Sequence, residues 1–357
     1  MTVPTLPGIE ARTITTPRLT TRVLFCGPEE GIPILFVHGN LSSATWWEEV
    51  MLSLPEGYRA IAPDQRGFGD ADPTKIMDAS RGMGDLADDL IALLDYLGIE
   101  RTCVVGHSLG GNVVWRLMTE IPERLINVMQ VCPGSPYGFG GTRDADGTPC
   151  FDDYAGSGGG LINANLIKSI EAGDASADSP FTVRSALRLT VYKPPFIPER
   201  EEAIVQSALA IHTGDKGYPG DTTASTNWPF IAPGKWGASN GLSPKNLQNP
   251  RRLINLNPKP PVLWIRGSDD KVVSDTSISD PATLGQMGLI PNYPGVDVCP
   301  SQPMIKQTRT ILDGYAQAGG TYQEIVMQNV AHAPYVENLT EFNTHFHAFL
   351  AQHTPSN

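Results

Sequence analysis

Residues 103–111 read Cys-Val-Val-Gly-His-Ser-Leu-Gly-Gly. A short apolar run ends in a serine fenced by glycines, and NVVWRLMTE at 112–120 follows with helical spacing. Such a run suits a strand buried on both faces, feeding straight into a helix. Glycines let the strand and helix approach closely. The same turn also holds the Ser108 hydroxyl at a sharp, exposed corner with a helix N-terminus behind it. Packing and chemistry both account for the stretch, so its neighbours have to decide.

Upstream, ARTITT, RLTTRVLF and IPILFVHG read as strands, and SSATWWEEVMLSL as a helix with Ser42 or Ser43 as N-cap. YRAIAPDQRG is a further strand and turn. MGDLADDLIALLDYLG places apolar residues on one helical face and stops at Gly98. Downstream of the helix, RLINVMQVCPG is a sixth strand. Strands alternating with helices at this spacing predict an α/β, doubly wound, mostly parallel sheet.

That rhythm fails between residues 133 and 257, which are rich in Gly, Pro, Asp, Asn and Ser. Helical patches stand out only near 161–171 and 199–212. So long a departure reads as an inserted subdomain. The division expected is therefore 1–132 as the first part of the core, 133–257 as a cap, and 258–357 as the second part. The last part carries PPVLWIRGSDDKVV as a strand ending in acids, then a second irregular insertion at 274–300. A helix, the strand and loop TYQEIVMQNVAHAP, and a closing helix complete it.

Composition narrows the function. The chain has 357 residues, 40% of them hydrophobic, and a net charge of -12. An acidic surface repels nucleic acid and anionic membrane, so neither is expected as a partner. No basic segment followed by an apolar one opens the chain, and no apolar run is long enough to span a bilayer. A cytoplasmic location is the expectation. Five scattered cysteines form no CxxC pair, so no metal site is expected from them. Cys132 and Cys150 bracket a glycine-rich loop and are the pair to examine for a disulfide. Within that loop, Asp144, Asp146, Gly147 and Asp153 fall at calcium-loop spacing, but Thr142 stands at the first position and no clear helices flank it. A polar turn is the preferred reading there.

In open α/β sheets, ligands bind beyond the carboxyl ends of the strands. Ser108, Asp270 and His332 all follow such ends. A serine nucleophile needs a base, and the base needs an acid that fixes its tautomer. His345 and His347 compete with His332, but they sit mid-helix two residues apart and cannot both face one site.

These segments resemble the α/β-hydrolase superfamily, in the branch with a cap between the sixth and seventh strands. GHSLGG at 106–111 matches its nucleophile elbow, HGN at 38–40 its His-Gly-X turn, and DQRGFGDADP at 64–73 its Asp-x-Arg-Gly-x-Gly segment. GSDDKVV at 267–273 and VAHAPYVENLTEF at 330–342 match its acid and histidine loops. The resemblance implies Ser108 as nucleophile, His332 as base and Asp270, rather than Asp269, as acid. It assigns the oxyanion donors to the backbone N–H groups of Asn40 and Leu109 and a structural role to His38. HGNLSSATWW is also similar to the His-Gly-Asn-Pro segment of haloalkane dehalogenases, but those enzymes and the epoxide hydrolases use an aspartate where this chain has Ser108.

The expected function is a serine hydrolase acting on a small carboxylic ester through an acyl-enzyme, without a cofactor. Trp228 and Trp236, with Tyr137 and Phe139, are candidates for the apolar lining of the substrate site. The same three groups serve lactonases, amidases, carbon–carbon bond hydrolases and cofactor-free haloperoxidases. A non-catalytic hydrolase-like binding protein is the rival of another class.

Overall fold

Apolar runs of six or seven residues bury both their faces and form the centre of the sheet. The computed structural model describes residues 3–214 and 216–354. Among the described residues ten strands are present: β1 (Glu10–Thr15), β2 (Thr20–Cys26), β3 (Ile32–Val37), β4 (Tyr58–Pro63), β5 (Thr102–His107), β6 (Leu125–Val131), β7 (Thr222–Ala224), β8 (Ile231–Pro233), β9 (Val262–Gly267) and β10 (Tyr322–Met327). Eight of them form one sheet in the order β1-β2-β4-β3-β5-β6-β9-β10. β1 and β2 pair antiparallel, β2 joins β4 antiparallel, and every further pairing is parallel. The strand order reverses beside β3 and β5, so the crevice expected of a doubly wound sheet opens at the end of β5.

Helices Gly84–Tyr96, Leu109–Glu120, Met304–Gln317 and Leu339–His353 cover the sheet. Gly98 takes a positive φ of 65° and ends the first of them, as its sequence predicts. The helix expected over 42–54 is shorter: Ser43 caps a tight turn at Ala44–Trp47, and Glu48–Leu52 continues it.

Between β6 and β9 the chain leaves the sheet and returns to it. Helices Ala164–Glu171 and Glu201–Leu209 lie where the spacing predicts them. A further helical run over 183–191, its last turn a wide one, has Thr182 as N-cap. These three bury Ile170, Val183, Leu187, Ile204 and Val205 in the main core. The remainder adds Tyr192, Ile211, Tyr218 and Ala238 to the core and is tied together by polar bonds. Asn240 alone accepts from the N–H groups of Gly159 and Gly234 and donates to the carbonyls of Asp221 and Trp236.

The loop 142–153 is a hairpin turn. Asp144 accepts from the N–H groups of Asp146 and Thr148, Asp146 meets Arg251 at 2.7 Å, and Asp153 accepts from Ser225 and Asn227. Its acids therefore turn to three separate sets of partners. Region 274–300 carries one short helix, Pro281–Gln286, with Asp280 as its N-cap.

Candidate active site

β5 ends at His107 and the next helix begins at Leu109, leaving one residue to make the corner. Ser108 makes it with φ 53° and ψ -118°, a conformation that costs a non-glycine residue about 1–3 kcal/mol. The surroundings hold it there. Its N–H donates to Val131 O, and its carbonyl accepts from Gly111 and Gly134. A Cβ on Gly110 would lie 2.3 Å from Val37 O, so only glycine lets the helix start this close to β3. Ser108 does not cap its own helix with its side chain, which leaves Oγ free for another partner.

That partner is His332. Its Nε2 lies 2.9 Å from Ser108 Oγ, and its Nδ1 lies 2.8 Å from Asp270 Oδ2. The Asp270 carboxylate is anchored at its other oxygen by the N–H groups of Val272 and Val273. Asp270 and His332 are buried, and Ser108 is half-buried. Asp269 faces elsewhere: it pairs with Lys193 at 3.0 Å and is 38% exposed. With Nδ1–H donated to Asp270, Nε2 is the acceptor for the serine proton.

A supporting layer lies behind this row, and only its quoted motif residues were visible beforehand. Tyr335 O–H donates to His107 Nδ1, and His107 Nε2–H donates to the carbonyl of His332. Burial holds His107 far below the ordinary histidine range, so it stays neutral and fixes the loop. His38 is also buried and neutral, pushed down to about 4; its Nε2 accepts from Gln65 N–H and ties the two turns together. The histidine loop is fastened by Glu337, which accepts from the N–H groups of Ala331 and Lys193. Burial raises this carboxyl, and the two N–H groups oppose the rise.

The insertion meets the site at several points. Val191 O accepts from the backbone N–H of His332, and Lys193 Nζ reaches Asp269 and Asn329. Trp46 lies between the rings of His107 and Tyr192 and donates to Ser207 in the helix Glu201–Leu209. Tyr218, fully enclosed, accepts at 3.3 Å from the side chain of Asn40. Its phenol is pushed up to about 12 by burial. Beside Tyr218 lies a cavity of about 220 Å³, lined by Phe68, Met77, His212 and Lys216 among others. Tyr218 did not stand out in the sequence, because a lone tyrosine carries no local pattern, and Glu337 stood only as one letter of the 330–342 segment.

Asn40 and Leu109 flank the serine. A Cβ on Gly39 would lie 3.1 Å from Ser108 Cβ, which sets the following residue, Asn40, against the corner. Among the described residues, neither the Asn40 nor the Leu109 backbone N–H has a hydrogen-bond partner. Trp228 donates to Pro291 O and packs on Tyr293, in a separate cluster with Cys150, Ala282 and Cys299. Trp236 lies between the ammonium groups of Lys216 and Lys235. Tyr137 is packed under Gly147, and Phe139 N–H donates to Leu242 O. Their observed partners are those of packing residues.

Cys132 lies under the row, donating weakly to Ala331 O. Ligand atoms of Cys132, Asp270 and His332 fall within 4.8 Å of one another. Burial and the Asp270 charge keep the Cys132 thiol protonated, and His332 Nδ1 is already committed to Asp270. This donor set therefore fits a hydrogen-bonded row better than a metal. Cys132 is not beside Cys150, whose neighbour is Cys299; all five cysteines are free.

Known proteins share this architecture. A non-heme chloroperoxidase of Streptomyces lividans is 28% identical over 252 residues, 69% of this chain and 77% of that protein. A bifunctional esterase/perhydrolase of Acinetobacter calcoaceticus is 38% identical over 98 residues, 27% of this chain, and the match spans only 34% of its length. The structure of a serine hydrolase from the polyaromatic-hydrocarbon-degrading Cycloclasticus zankles superposes with a TM-score of 0.61 at 18% identity, covering 98% of this chain and all of that one. No helix among the described residues is long and apolar enough to cross a membrane. The family model for the alpha/beta hydrolase fold matches residues 32–299, three quarters of the chain, and the chain belongs to that family.

Proposed function

We propose that this hydrolase cleaves carboxylic esters of small or medium organic acids through an acyl-enzyme on Ser108. The observation that carries the reading is the continuous row from Ser108 Oγ through His332 to Asp270, at 2.9 and 2.8 Å. His332 takes the serine proton as Oγ attacks the ester carbonyl. The developing oxyanion is received by the Asn40 and Leu109 N–H groups, each worth on the order of 3 kcal/mol in the transition state. His332 then returns the proton to the leaving alcohol, and water repeats the sequence to release the acid. Asp270 holds the Nδ1–H tautomer and balances the imidazolium. A serine at this position favours acyl transfer over the alkyl displacement that an aspartate would perform. In this reading residues 133–257 act as the cap over the site.

The test is Ser108→Ala, assayed on p-nitrophenyl esters of graded acyl length with a lactone and an anilide alongside. Loss of turnover and of fluorophosphonate labelling, with an unchanged circular dichroism spectrum, is expected. Near-parental ester turnover by the variant would overturn the mechanism.

A second reading has a specific observation behind it, the likeness to a chloroperoxidase over most of the chain. There hydrogen peroxide replaces water at the acyl-enzyme, and the released peracid oxidises halide. Peroxide-dependent halogenation in acetate buffer, lost in the same variant, distinguishes it from simple hydrolysis.

A further inference from the structure

Cys150 lies in the insertion between β6 and β9, and Cys299 closes the second insertion after β9. Both are buried, at 8% and 2% exposure, and both belong to a small cluster separate from the main core. The two residues pack in that same four-residue cluster, with Trp228 and Ala282. The two backbones are also brought together: one Nη2 of Arg143 donates to Cys150 O at 3.2 Å and to Val298 O at 2.7 Å. Tyr293 O–H donates to Cys299 O, and Tyr293 packs edge-on against Trp228. Two insertions far apart in the chain thus meet at a contact that holds both cysteines.

We propose that Cys150 and Cys299 are a redox pair whose oxidation to a disulfide cross-links the two insertions. The oxidant is a small-molecule disulfide. The Cys150 thiolate attacks one of its sulfurs and expels a thiolate. Cys299, deprotonated in turn, attacks the Cys150 sulfur of the mixed disulfide and expels the second. Two protein thiols are oxidised, one external disulfide is reduced to two thiols, and the two protein protons end on those thiols. The Arg143 guanidinium held at Cys150 O favours a thiolate there, so Cys150 is the first nucleophile. Because both sulfurs are buried, exchange proceeds through opening of the 142–149 hairpin. The buried cysteines of the sheet have other neighbours: Cys103 contacts Thr354, and Cys132 lies against Ala331 O. A bond between residues 150 and 299 closes a long loop of the unfolded chain, which is the condition under which a disulfide stabilises most.

The experiment incubates the purified protein with oxidised glutathione, then alkylates it in denaturant and maps its peptides without reduction. The expected result is a Cys150–Cys299 cross-linked peptide, alkylation of Cys26, Cys103 and Cys132 only, and a melting temperature raised by several degrees. Dithiothreitol should reverse the rise, and neither Cys150→Ala nor Cys299→Ala should show it. Alkylation of all five thiols, a glutathione adduct that stays on Cys150, or a cross-link between other cysteines would each overturn the proposal.

Discussion

The backbone N–H of His332 donates to the carbonyl of Val191, 2.9 Å away, so the loop carrying the candidate base is fastened by a residue of the insertion. Two residues on, Lys193 N–H donates to Glu337, which also receives Ala331 N–H. Glu337→Gln keeps one acceptor but turns an amide donor toward the other N–H. A hydrogen bond to a charged group is worth about 1.5–3 kcal/mol, so kcat should fall about tenfold or more. KM should change far less, because Glu337 acts through the position of His332. Steady-state kinetics on one small ester checks the split.

The two acids of the SDD loop differ in their surroundings, and their variants should differ accordingly. Asp270→Asn removes the carboxylate that fixes the His332 tautomer and should lower kcat by several orders of magnitude. Asp269→Asn disturbs an exposed pair with Lys193, worth at most about 1 kcal/mol, and should stay within a few-fold of the parent. Parallel kcat measurements rank them, and the reverse order would move the acid by one residue.

Tyr218→Phe should act on substrate choice. It removes the oxygen that receives the Asn40 amide and alters one wall of the 220 Å³ cavity. The lost bond is worth about 0.5–1.5 kcal/mol. We expect kcat/KM to change unequally across esters of graded acyl length, while labelling by a small phosphonate stays near the parent rate. An equal loss on every ester would assign Tyr218 to support of the oxyanion loop.

Stability should decline in mild acid because of two buried neutral histidines. His38 is held at about 4 in the folded chain, and about 6.5 is the value for an unfolded one. The unfolded chain therefore binds the extra proton between those values. Stability from this group is complete above pH 6.5 and is lost as the pH falls toward 4, at up to about 1.4 kcal/mol per pH unit. His107 adds a loss of the same sign. Urea unfolding at pH 7, 6 and 5 should show the decline, and His38→Gln should make it shallower.

The sheet was legible because its strands are apolar runs separated by amphipathic helices, a pattern written within each segment. Ser108, Asp270 and His332 were legible because each stands in a turn of recurring composition, and the structure brings the three side chains together. The run 183–191 was not, since its helix is fixed by packing on the core and by the cap at Thr182. The contacts of Tyr218 with Asn40 and of Val191 with His332 join residues far apart in the chain. No window of local sequence contains them. Trp228 shows the same limit: an aromatic residue in the insertion suggests a wall of the site, and nothing local foretells that its partners, Pro291 and Tyr293, come from the other insertion.

Asn240 gives the molecule an uneven resistance to denaturant. One buried amide organises the backbone at Gly159, Asp221, Gly234 and Trp236, beside the short β7–β8 ladder. Urea solvates peptide groups directly, so a region that leans on polar bonds of this kind yields before one closed by buried hydrocarbon. Loops 216–241 should therefore release their amide protons to deuterium at denaturant concentrations that leave β3, β5 and β6 protected. The part of the chain nearest Tyr218 can loosen and re-form without the strands beneath Ser108 coming apart.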